Sequence, residues 1–426
     1  MHKYYKGSQF NLLIDEKLDE VVIFNTFSGS VCCLEKDVWN TICNNKVNET
    51  CKYFNELKEQ GLIVPSDVDQ VGMIQYNENL AKFADNRTNL SFVIAPTLKC
   101  NLRCYYCFES NQNDTLIASD EMLDSTINFI ESMMNNETKS LHINWFGGEP
   151  MLAYDFILKF SDRIKQVTSN HNIKYTSAMI SNGVFLTKEK AKILKERCNL
   201  NRVQITLDGT RDEYCKRKGT VPKVFDTVIK NIIDCSDILD INIRLNCDRD
   251  NYNDLLTVVD QLFKNNNLSN HVKVYLAPIG DFNKKGIECF SNDEFSEYKI
   301  KFDNYIQTNY PEHVLQTKEL KPRTCYCGLK RNTNYAIGPQ GEIYTCEHDL
   351  GINEKVVGDI KNGLYYTEYH KKFLELNLSD KCKMCKLLPL CLGGCPSVRY
   401  NSGKEECCIN ERMVKYLVLK KLNNKN

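Results

Sequence analysis

The sequence predicts an α/β protein with a partial (β/α)6 barrel of the TIM type, preceded by a small winged-helix-like domain and followed by a cysteine-rich domain. The barrel is indicated by short apolar runs that alternate with helical stretches within residues 89–290. Repeated βα units of this kind form a parallel sheet that curls, with its helices outside. The candidate strands are Phe92–Pro96, Leu141–Phe146, Tyr175–Ile180, Val203–Leu207, Ile241–Cys247 and Val272–Ala277.

Helical periodicity fills the intervals between these strands. In such a barrel the chemistry lies at the C-terminal ends of the strands, so functional residues are expected in the loops that follow them. The candidate helices are Asp120–Met134, Tyr154–Ser169, Lys188–Arg197, Lys223–Cys235 and Asp254–Phe263.

The N-terminal domain is predicted at residues 1–75. Two apolar runs, Leu12–Ile14 and Val21–Phe24, flank a polar turn as the strands of a hairpin do. Three strands with two or three helices describe a winged-helix-like module, which a further short strand closes. Its remaining elements are the strand Val31–Leu34, the helical stretches Lys36–Cys43 and Asn48–Gln60, and the closing strand Leu62–Val64.

Charge and hydropathy exclude several classes of protein. Lys plus Arg and Asp plus Glu both number 55, so a nucleic-acid partner held by bulk electrostatics is not expected. The N-terminus shows no apolar signal segment, and no run of apolar residues is long enough to span a membrane. The sequence therefore predicts a soluble, cytoplasmic protein.

Cysteine is the unusual residue, with 21 in 426 residues. A secreted disulfide scaffold would be short and would carry a signal peptide, so grouped cysteines here indicate metal binding. Residues 291–321 are helical and charged, and are predicted to bridge the barrel to a cysteine-rich, loop-rich domain at 322–426 that is poor in long periodic elements. The isolated cysteines Cys198, Cys235, Cys247 and Cys289 are predicted to be small buried hydrophobes.

The first chemical motif is a CxxxCxxC in the loop after the first barrel strand, formed by Cys100, Cys104 and Cys107. Three thiolates can hold three irons of a four-iron cluster and leave the fourth iron open to a ligand. A zinc site is the alternative, but zinc requires a fourth ligand and none is obvious in this loop.

Turn motifs follow the next three strands. Gly147-Gly148-Glu149-Pro150 would bring backbone close to a ligand and offer a carboxylate to an ammonium group. Ser181-Asn182-Gly183 and Leu207-Asp208-Gly209 occupy equivalent positions on the third and fourth strands. Each of these motifs alone also fits an ordinary turn.

The third constellation is C-terminal. Cys327 and Cys346 form C-x13-G-x4-C, after which come a run of four spaced cysteines and an adjacent pair. A pair of zinc knuckles is the alternative to iron–sulfur clusters. The later cysteines are Cys382, Cys385, Cys391, Cys395, Cys407 and Cys408.

CxxxCxYC followed by GGEP resembles the signature of the radical S-adenosylmethionine (SAM) superfamily. The resemblance implies a [4Fe-4S] cluster whose open iron chelates SAM, and reductive cleavage to a 5′-deoxyadenosyl radical. It places Tyr106 near the adenine and Gly147, Gly148, Glu149 and Pro150 at the SAM amino group. Ser181, Asn182 and Asp208 match positions near the cofactor. Relatives carry His-Asp-x-x-Arg where this chain has Tyr214–Lys218, so Arg217 is only a candidate for the SAM carboxylate.

The C-terminal cysteines resemble the SPASM extension of peptide-modifying radical SAM enzymes. That likeness implies two auxiliary clusters. One would be held by Cys382, Cys385, Cys391 and either Cys407 or Cys408; the other by Cys327, Cys346 and Cys395, with Cys325 as a candidate fourth ligand. The N-terminal unit resembles a PqqD-like element, which binds leader peptides by adding a strand to its sheet; a simple cap domain is the alternative.

Together these resemblances predict a maturase that installs a thioether in a ribosomally made precursor peptide, with flavodoxin or ferredoxin as reductant. An anaerobic sulfatase maturase is the nearest rival. Members of that group carry an Asp after the cysteine equivalent to Cys346, and here Glu347 could act as the base instead. Carbon–carbon crosslinking and epimerisation remain open, as does a non-enzymatic, metal-stabilised peptide-binding scaffold.

Overall fold

The chain forms two compact units in a computed structural model. We call residues 85–316 and 328–374 the barrel unit, and residues 1–84, 317–327 and 375–426 the terminal unit. The structure describes residues 4–45, 47–109, 116–266, 268–282, 285–315, 320–331, 333–403, 405 and 407–423.

The N-terminal part contains two small antiparallel sheets, β2-β3-β4 and β1-β5. The predicted second helix is shorter than expected: it begins at Phe54 because Tyr53 has a φ of 62°, outside the helical region, and Asn48 closes a turn with Thr50. The elements are β1 (Tyr5–Gly7), β2 (Asn11–Glu16), β3 (Glu20–Asn25), β4 (Val31–Glu35), α1 (Lys36–Cys43), α2 (Phe54–Glu59), β5 (Ile63–Pro65) and α3 (Gln70–Phe83).

The barrel unit contains the large parallel sheet that the sequence predicts, with neighbouring strands in chain order from β6 to β11. Helix α7 was not predicted, because its mostly charged sequence has no apolar periodicity. The strands are β6 (Asn89–Ile94), β7 (Ser140–Trp145), β8 (Lys174–Ser181), β9 (Leu200–Leu207), β10 (Asp240–Cys247) and β11 (Val272–Pro278). The helices are α4 (Asp120–Ser132), α5 (Tyr154–Asn170), α6 (Lys188–Cys198), α7 (Arg211–Lys218), α8 (Pro222–Cys235) and α9 (Tyr252–Asn265).

Helix α10 (Asn292–Asn309) occupies the predicted bridge, of which residues 316–319 lie outside the described residues.

Four further strands extend the barrel sheet, because β12 pairs in parallel with β6. The segment that carries Cys346 is therefore part of the barrel unit, which the predicted boundary at residue 322 did not anticipate. These last elements of the unit are β12 (Asn334–Ile337), β13 (Glu342–Tyr344), β14 (Gly358–Asp359), β15 (Gly363–Leu364) and α11 (Glu368–Leu374).

The two ends of the chain share a hydrophobic core in the terminal unit. Leu12, Ile14 and Phe24 of the N-terminal sheet pack with Leu387, Leu390, Val414 and Val418. The C-terminal part holds α12 (Asp380–Lys383), α13 (Leu388–Cys391), α14 (Pro396–Ser402) and α15 (Glu411–Asn423). The 13-residue α15 corrects the expectation that this region lacks long elements.

Cys198, Cys235 and Cys247 are buried as predicted, but Cys289 is only half-buried. Among the described residues, no helix is long and apolar enough to cross a membrane.

Candidate active site

The loop after β6 presents Cys100, Cys104 and Cys107. The amide of Leu102 donates to the Cys100 sulfur at 3.4 Å, and the Cys107 amide donates to the Cys104 carbonyl at 3.1 Å. Burial raises the pKa of Cys100 to about 12, and the neighbouring thiols Cys104 and Cys107 also raise it. Three interacting thiols on one loop fit the ligand set of a four-iron cluster with one open iron. Among the described residues, no group of three or more His, Cys, Asp or Glu side chains converges on a single metal ion.

Gly147 and Gly148 hold the turn after β7 against this loop. The Gly148 and Glu149 amides donate to Thr97 and Lys99 carbonyls at 3.2 and 2.9 Å. A Cβ at Gly148 would lie 2.2 Å from the Leu98 oxygen, and one at Gly147, where φ is 111°, would lie 2.2 Å from the Thr97 oxygen. Both glycines are therefore required for the turn to approach the cysteine loop.

The Glu149 carboxylate is fully buried and bound by the protein itself. It accepts hydrogen bonds from the Met151 amide at 3.0 Å, the Ser181 hydroxyl at 2.8 Å and the Asn182 amide at 2.8 Å. Burial raises its pKa, and these hydrogen bonds lower it. The Asn182 side chain also donates to the Asn101 side chain at 2.8 Å. The predicted residues Glu149, Ser181 and Asn182 thus form one network beside the cysteine loop.

Lys218 is a buried cation that the sequence analysis missed. Its ammonium group lies 2.7 Å from the Tyr106 hydroxyl, 2.7 Å from the Thr206 hydroxyl and 3.1 Å from Asp208. Tyr106 donates to Asp208, and the positive charge of Lys218 lowers the pKa of Cys104 against the larger effect of burial. The other oxygen of Asp208 is buried and has no hydrogen-bond partner among the described residues.

Arg217 points to a different set of partners. It forms two hydrogen bonds with Asp248 at 2.6 and 3.0 Å, an ion pair with Glu213, and a third contact with the Tyr105 hydroxyl at 3.0 Å. The Arg217 side chain is only 5% exposed, and these acceptors take up its hydrogen-bond donors. Its predicted contact with the SAM carboxylate stays a prediction, and Lys218 is the cation that reaches Asp208 and Tyr106.

The end of α7 fixes Lys218 against the cysteine loop. The Arg103 and Tyr105 amides donate to the Lys218 and Arg217 carbonyls at 2.9 and 3.2 Å. Gly219 follows in the left-handed conformation, where a Cβ would lie 2.8 Å from the Arg103 oxygen. A turn glycine after a short basic helix is the only sequence signal for this contact.

Two residues from a distant part of the chain, Glu347 and His348, also lie beside the cysteine loop. The His348 ring is centred 4.3 Å from Phe108, the residue after Cys107, and 4.2 Å from Phe282. Burial raises the pKa of Glu347 while the charge of Arg244 lowers it, and burial lowers the pKa of His348 to about 4. The segment after Cys346 therefore places a half-buried carboxyl group and a neutral imidazole near the cysteine loop.

The remaining predicted cysteine ligands belong to the terminal unit. Cys391 donates a hydrogen bond to Cys408, which lowers the pKa of Cys408. The pKa of Cys407 is raised by burial and, to a smaller extent, by the nearby thiols Cys385 and Cys382. The Cys325 thiol donates to the Cys327 carbonyl at 3.0 Å. The structure therefore distinguishes the adjacent cysteines Cys407 and Cys408 by their partners.

Comparison with known proteins identifies the chemistry. Residues 94–262 match the family model of the Radical SAM superfamily. The chain is 28% identical over 351 residues to the cysteine-type anaerobic sulfatase-maturating enzyme of Clostridium novyi, a match covering 72% of this chain and 88% of the relative. The chain therefore contains a radical SAM domain. The superfamily implies SAM and a four-iron cluster as cofactors, which the three-thiol loop fits.

Further known proteins resemble this chain in sequence or in fold. The radical SAM cyclopropyl synthase TigE of Paramaledivibacter caminithermalis is 22% identical over 84% of this chain and 79% of its own length. Native anSMEcpe with bound AdoMet has a TM-score of 0.60 at 20% identity, covering 79% of this chain and 98% of that chain. Streptococcus suis SuiB bound to precursor peptide SuiA has a TM-score of 0.56 at 18% identity, covering 96% and 99%. The likeness to SuiB therefore extends beyond the barrel.

Proposed function

We propose that this radical SAM enzyme joins a cysteine sulfur to a carbon atom within a ribosomally synthesised precursor peptide. The observation that carries the proposal is the contact of His348 with Phe108, which sets the neighbouring, half-buried Glu347 beside the cluster loop. Solved structures of similar fold hold peptides, namely SuiB with SuiA and anSMEcpe with the Cp18Cys peptide. A peptide substrate is consistent with both.

The cluster and SAM would supply the radical that removes a hydrogen atom from the peptide. The chain's own residues position these groups and move protons. Gly147, Gly148 and Glu149 hold the cluster loop, and the ring of Phe282 packs edge to face against Phe108 beside it. Glu347 accepts the proton that the substrate thiol loses, with Arg244 stabilising the carboxylate that forms.

Lys218 and Asp208 are proposed SAM-binding residues, with Tyr106 between them. Lys218, whose side chain is only 3% exposed, would hold Asp208 and Tyr106 in place beside the cofactor, and the unpartnered Asp208 oxygen would accept a hydrogen bond from a cofactor hydroxyl. The proposed SAM-binding site also includes Ser181, Asn182, Pro150 and Arg217.

The variant Lys218→Met should weaken SAM binding by about tenfold to a hundredfold, since a hydrogen bond to a charged group contributes ~1.5–3 kcal/mol. Because Lys218→Met leaves Asp208 buried without a counter-charge, the double variant Asp208→Asn/Lys218→Met is measured beside it. Equilibrium dialysis of reconstituted protein against SAM gives the affinity. Lys216→Met is the matched control, because that side chain is 80% exposed on the same helix. Unchanged affinity in both Lys218 variants would contradict the assignment.

The C-terminal cysteines are proposed to hold two auxiliary clusters. Because Cys391 donates a hydrogen bond to Cys408, we propose that Cys408 is the fourth ligand of one cluster. The other three ligands would be Cys382, Cys385 and Cys391. Cys327, Cys346 and Cys395 would hold the second cluster, with Cys325 as a candidate fourth ligand. These clusters would take up the electron released when the new bond forms, and a flavodoxin or ferredoxin in the cytoplasm would reduce the enzyme.

Cys408→Ala should lower the iron content of reconstituted protein by about four atoms, the size of one cluster. Cys407→Ala is the matched control, since it removes the adjacent thiol, which is exposed. Iron and sulfide assays on both variants decide between them. An equal loss in both variants, or no loss in either, would contradict the choice of Cys408.

The N-terminal domain is proposed to bind the leader of the precursor. Strand β4 lies at an edge of the sheet β2-β3-β4, so a peptide strand can add to it.

The function is tested by expressing the chain together with each small, cysteine-rich open reading frame that sequencing finds beside its gene. We expect a peptide that has lost two hydrogen atoms and one alkylatable thiol, detected by mass spectrometry after alkylation. A cysteine converted into a hydrazide-reactive aldehyde would instead favour the second candidate, a sulfatase-maturase-type reaction. That candidate is supported by the Clostridium novyi relative and by Glu347 after Cys346. SAM cleavage with every peptide unchanged would contradict both.

A further inference from the structure

Helix α3 exposes its apolar side chains and buries its charged ones. Four large apolar residues lie on its surface, with exposed fractions between 46% and 64%. They are Met73, Tyr76, Leu80 and Phe83. The buried residues of the helix are Gln70, Ile74, Glu78 and Lys82. Amphipathic helices of globular proteins normally have the opposite arrangement, so the exposed stripe requires an explanation.

The inner face of α3 accounts for all the charge of the helix. The Ser8 hydroxyl bonds to Gln70 at 3.0 Å, and Ile74 packs in a core cluster with Phe10. Glu78 and Lys82 form an ion pair at 3.5 Å with side chains 6% and 4% exposed. The outer face has no charged residue, and the side chains beside the stripe are also uncharged: Gln75, Asn77 and Asn79.

The spacing of the stripe suits a helical partner. Met73, Tyr76, Leu80 and Phe83 are separated by three, four and three residues, which is the alternation of the a and d positions of a heptad. Side chains at this spacing insert between those of a facing helix when two helices cross at a small angle.

Because this face of α3 carries no charge, we expect its partner surface to be uncharged as well. A strongly charged surface would find no complement here, whereas two copies of the same face meet without repulsion between like charges. We propose that α3 pairs with α3 of a second copy of this chain about a two-fold axis. The helices run antiparallel, so Tyr76 of each copy faces Leu80 of the other, and Met73 faces Phe83. A two-fold pair is self-complementary and closed, so it does not lead to filaments.

The exposed stripe has a limited area, which sets the strength of the pair. It amounts to roughly 400 Å² per chain, so two stripes bury about 800 Å², less than the ~1,200–2,000 Å² of a stable interface. The pair is therefore a weak homodimer that forms at tens of micromolar, on the order of the affinity expected for so small a contact.

Sedimentation velocity of the full-length, anaerobically reconstituted protein tests the pairing across a dilution series from roughly 1 to 200 µM, which brackets that affinity. Wild type is expected to shift from monomer to dimer with concentration, while Tyr76→Glu and Leu80→Lys each stay monomeric at about tenfold higher concentration. Leu18→Lys is the matched control, because Leu18 is another exposed apolar residue, 88% exposed, and is remote in sequence from α3. It should dimerise as the wild type does.

An equimolar mixture of Tyr76→Glu and Leu80→Lys tests the antiparallel register. In that arrangement the new Glu faces the new Lys across the pair, while the second native Tyr76–Leu80 contact remains, so the mixture should regain the dimer. Iron content and circular dichroism equal to wild type establish that the variants are folded. A wild type that is monomeric throughout the series would overturn the proposal. So would single variants that dimerise like wild type, or a mixture that stays monomeric.

Discussion

Cys107→Ala is expected to abolish the reductive cleavage of SAM. The three cysteines of the loop after β6 interact with one another, and the loop is fixed by the Gly147-Gly148 turn on one side and by the end of α7 on the other. Removing one thiolate leaves an iron without its protein ligand, so the cluster should not assemble. The measurement is 5′-deoxyadenosine formed by dithionite-reduced protein, with iron counted on the same sample.

Cys215→Ala provides the control for this experiment. Cys215 lies on α7, two residues from Arg217, and is only half-buried, so its loss should disturb neither the loop nor the iron content. The iron lost in Cys107→Ala should amount to about four atoms, with the remaining iron held by Cys346 and the cysteines of the terminal unit. Continued formation of 5′-deoxyadenosine by Cys107→Ala would show that the cluster lies elsewhere.

The barrel was predictable because its strands are short segments rich in apolar residues and bounded by turn residues. The predicted run Ile241–Cys247 differs from β10 by one residue, and Val272–Ala277 differs from β11 by one residue. Parallel strands buried on both faces have this character, and local sequence is enough to find them. Helix α7 was missed because its stability depends on contacts with α8 and the cysteine loop rather than on its own periodicity.

The shared core of the terminal unit could not be read from the sequence. Phe24 packs in the same cluster as Val414, although the two residues lie near opposite ends of the chain. Apolar periodicity shows which face of an element is buried but not which distant element covers it. For this reason the first 75 residues and the region after residue 322 were predicted as separate domains.

The candidate site was predicted as motifs and completed by geometry. Glu149, Ser181 and Asn182 were each assigned from turns after separate strands, and the structure joins them by hydrogen bonds. The distinction between Arg217 and Lys218 was out of reach, since adjacent basic residues differ only in the direction their helix gives them. Helix α7 turns Arg217 toward Asp248 and Lys218 toward Asp208.

Glu347→Gln is expected to lower peptide modification by about a hundredfold, the usual contribution of a general base, while SAM cleavage continues. Glutamine has nearly the same shape as glutamate, but it cannot accept a proton. The variant should therefore produce 5′-deoxyadenosine without the matching peptide product, and this uncoupling is measured by quantifying both in one reaction. Glu347→Asp should retain part of the activity, because a carboxylate remains.

Glu354→Gln is the matched control, because Glu354 is an exposed glutamate seven positions further along the same segment. It should leave the ratio of product to 5′-deoxyadenosine unchanged. If Glu347→Gln also kept that ratio, the proton would have to leave by another route, and the buried His348 beside Phe108 would be the next group to test. If both the peptide product and 5′-deoxyadenosine fell together, Glu347 would act in holding the site together rather than in the transfer of a proton.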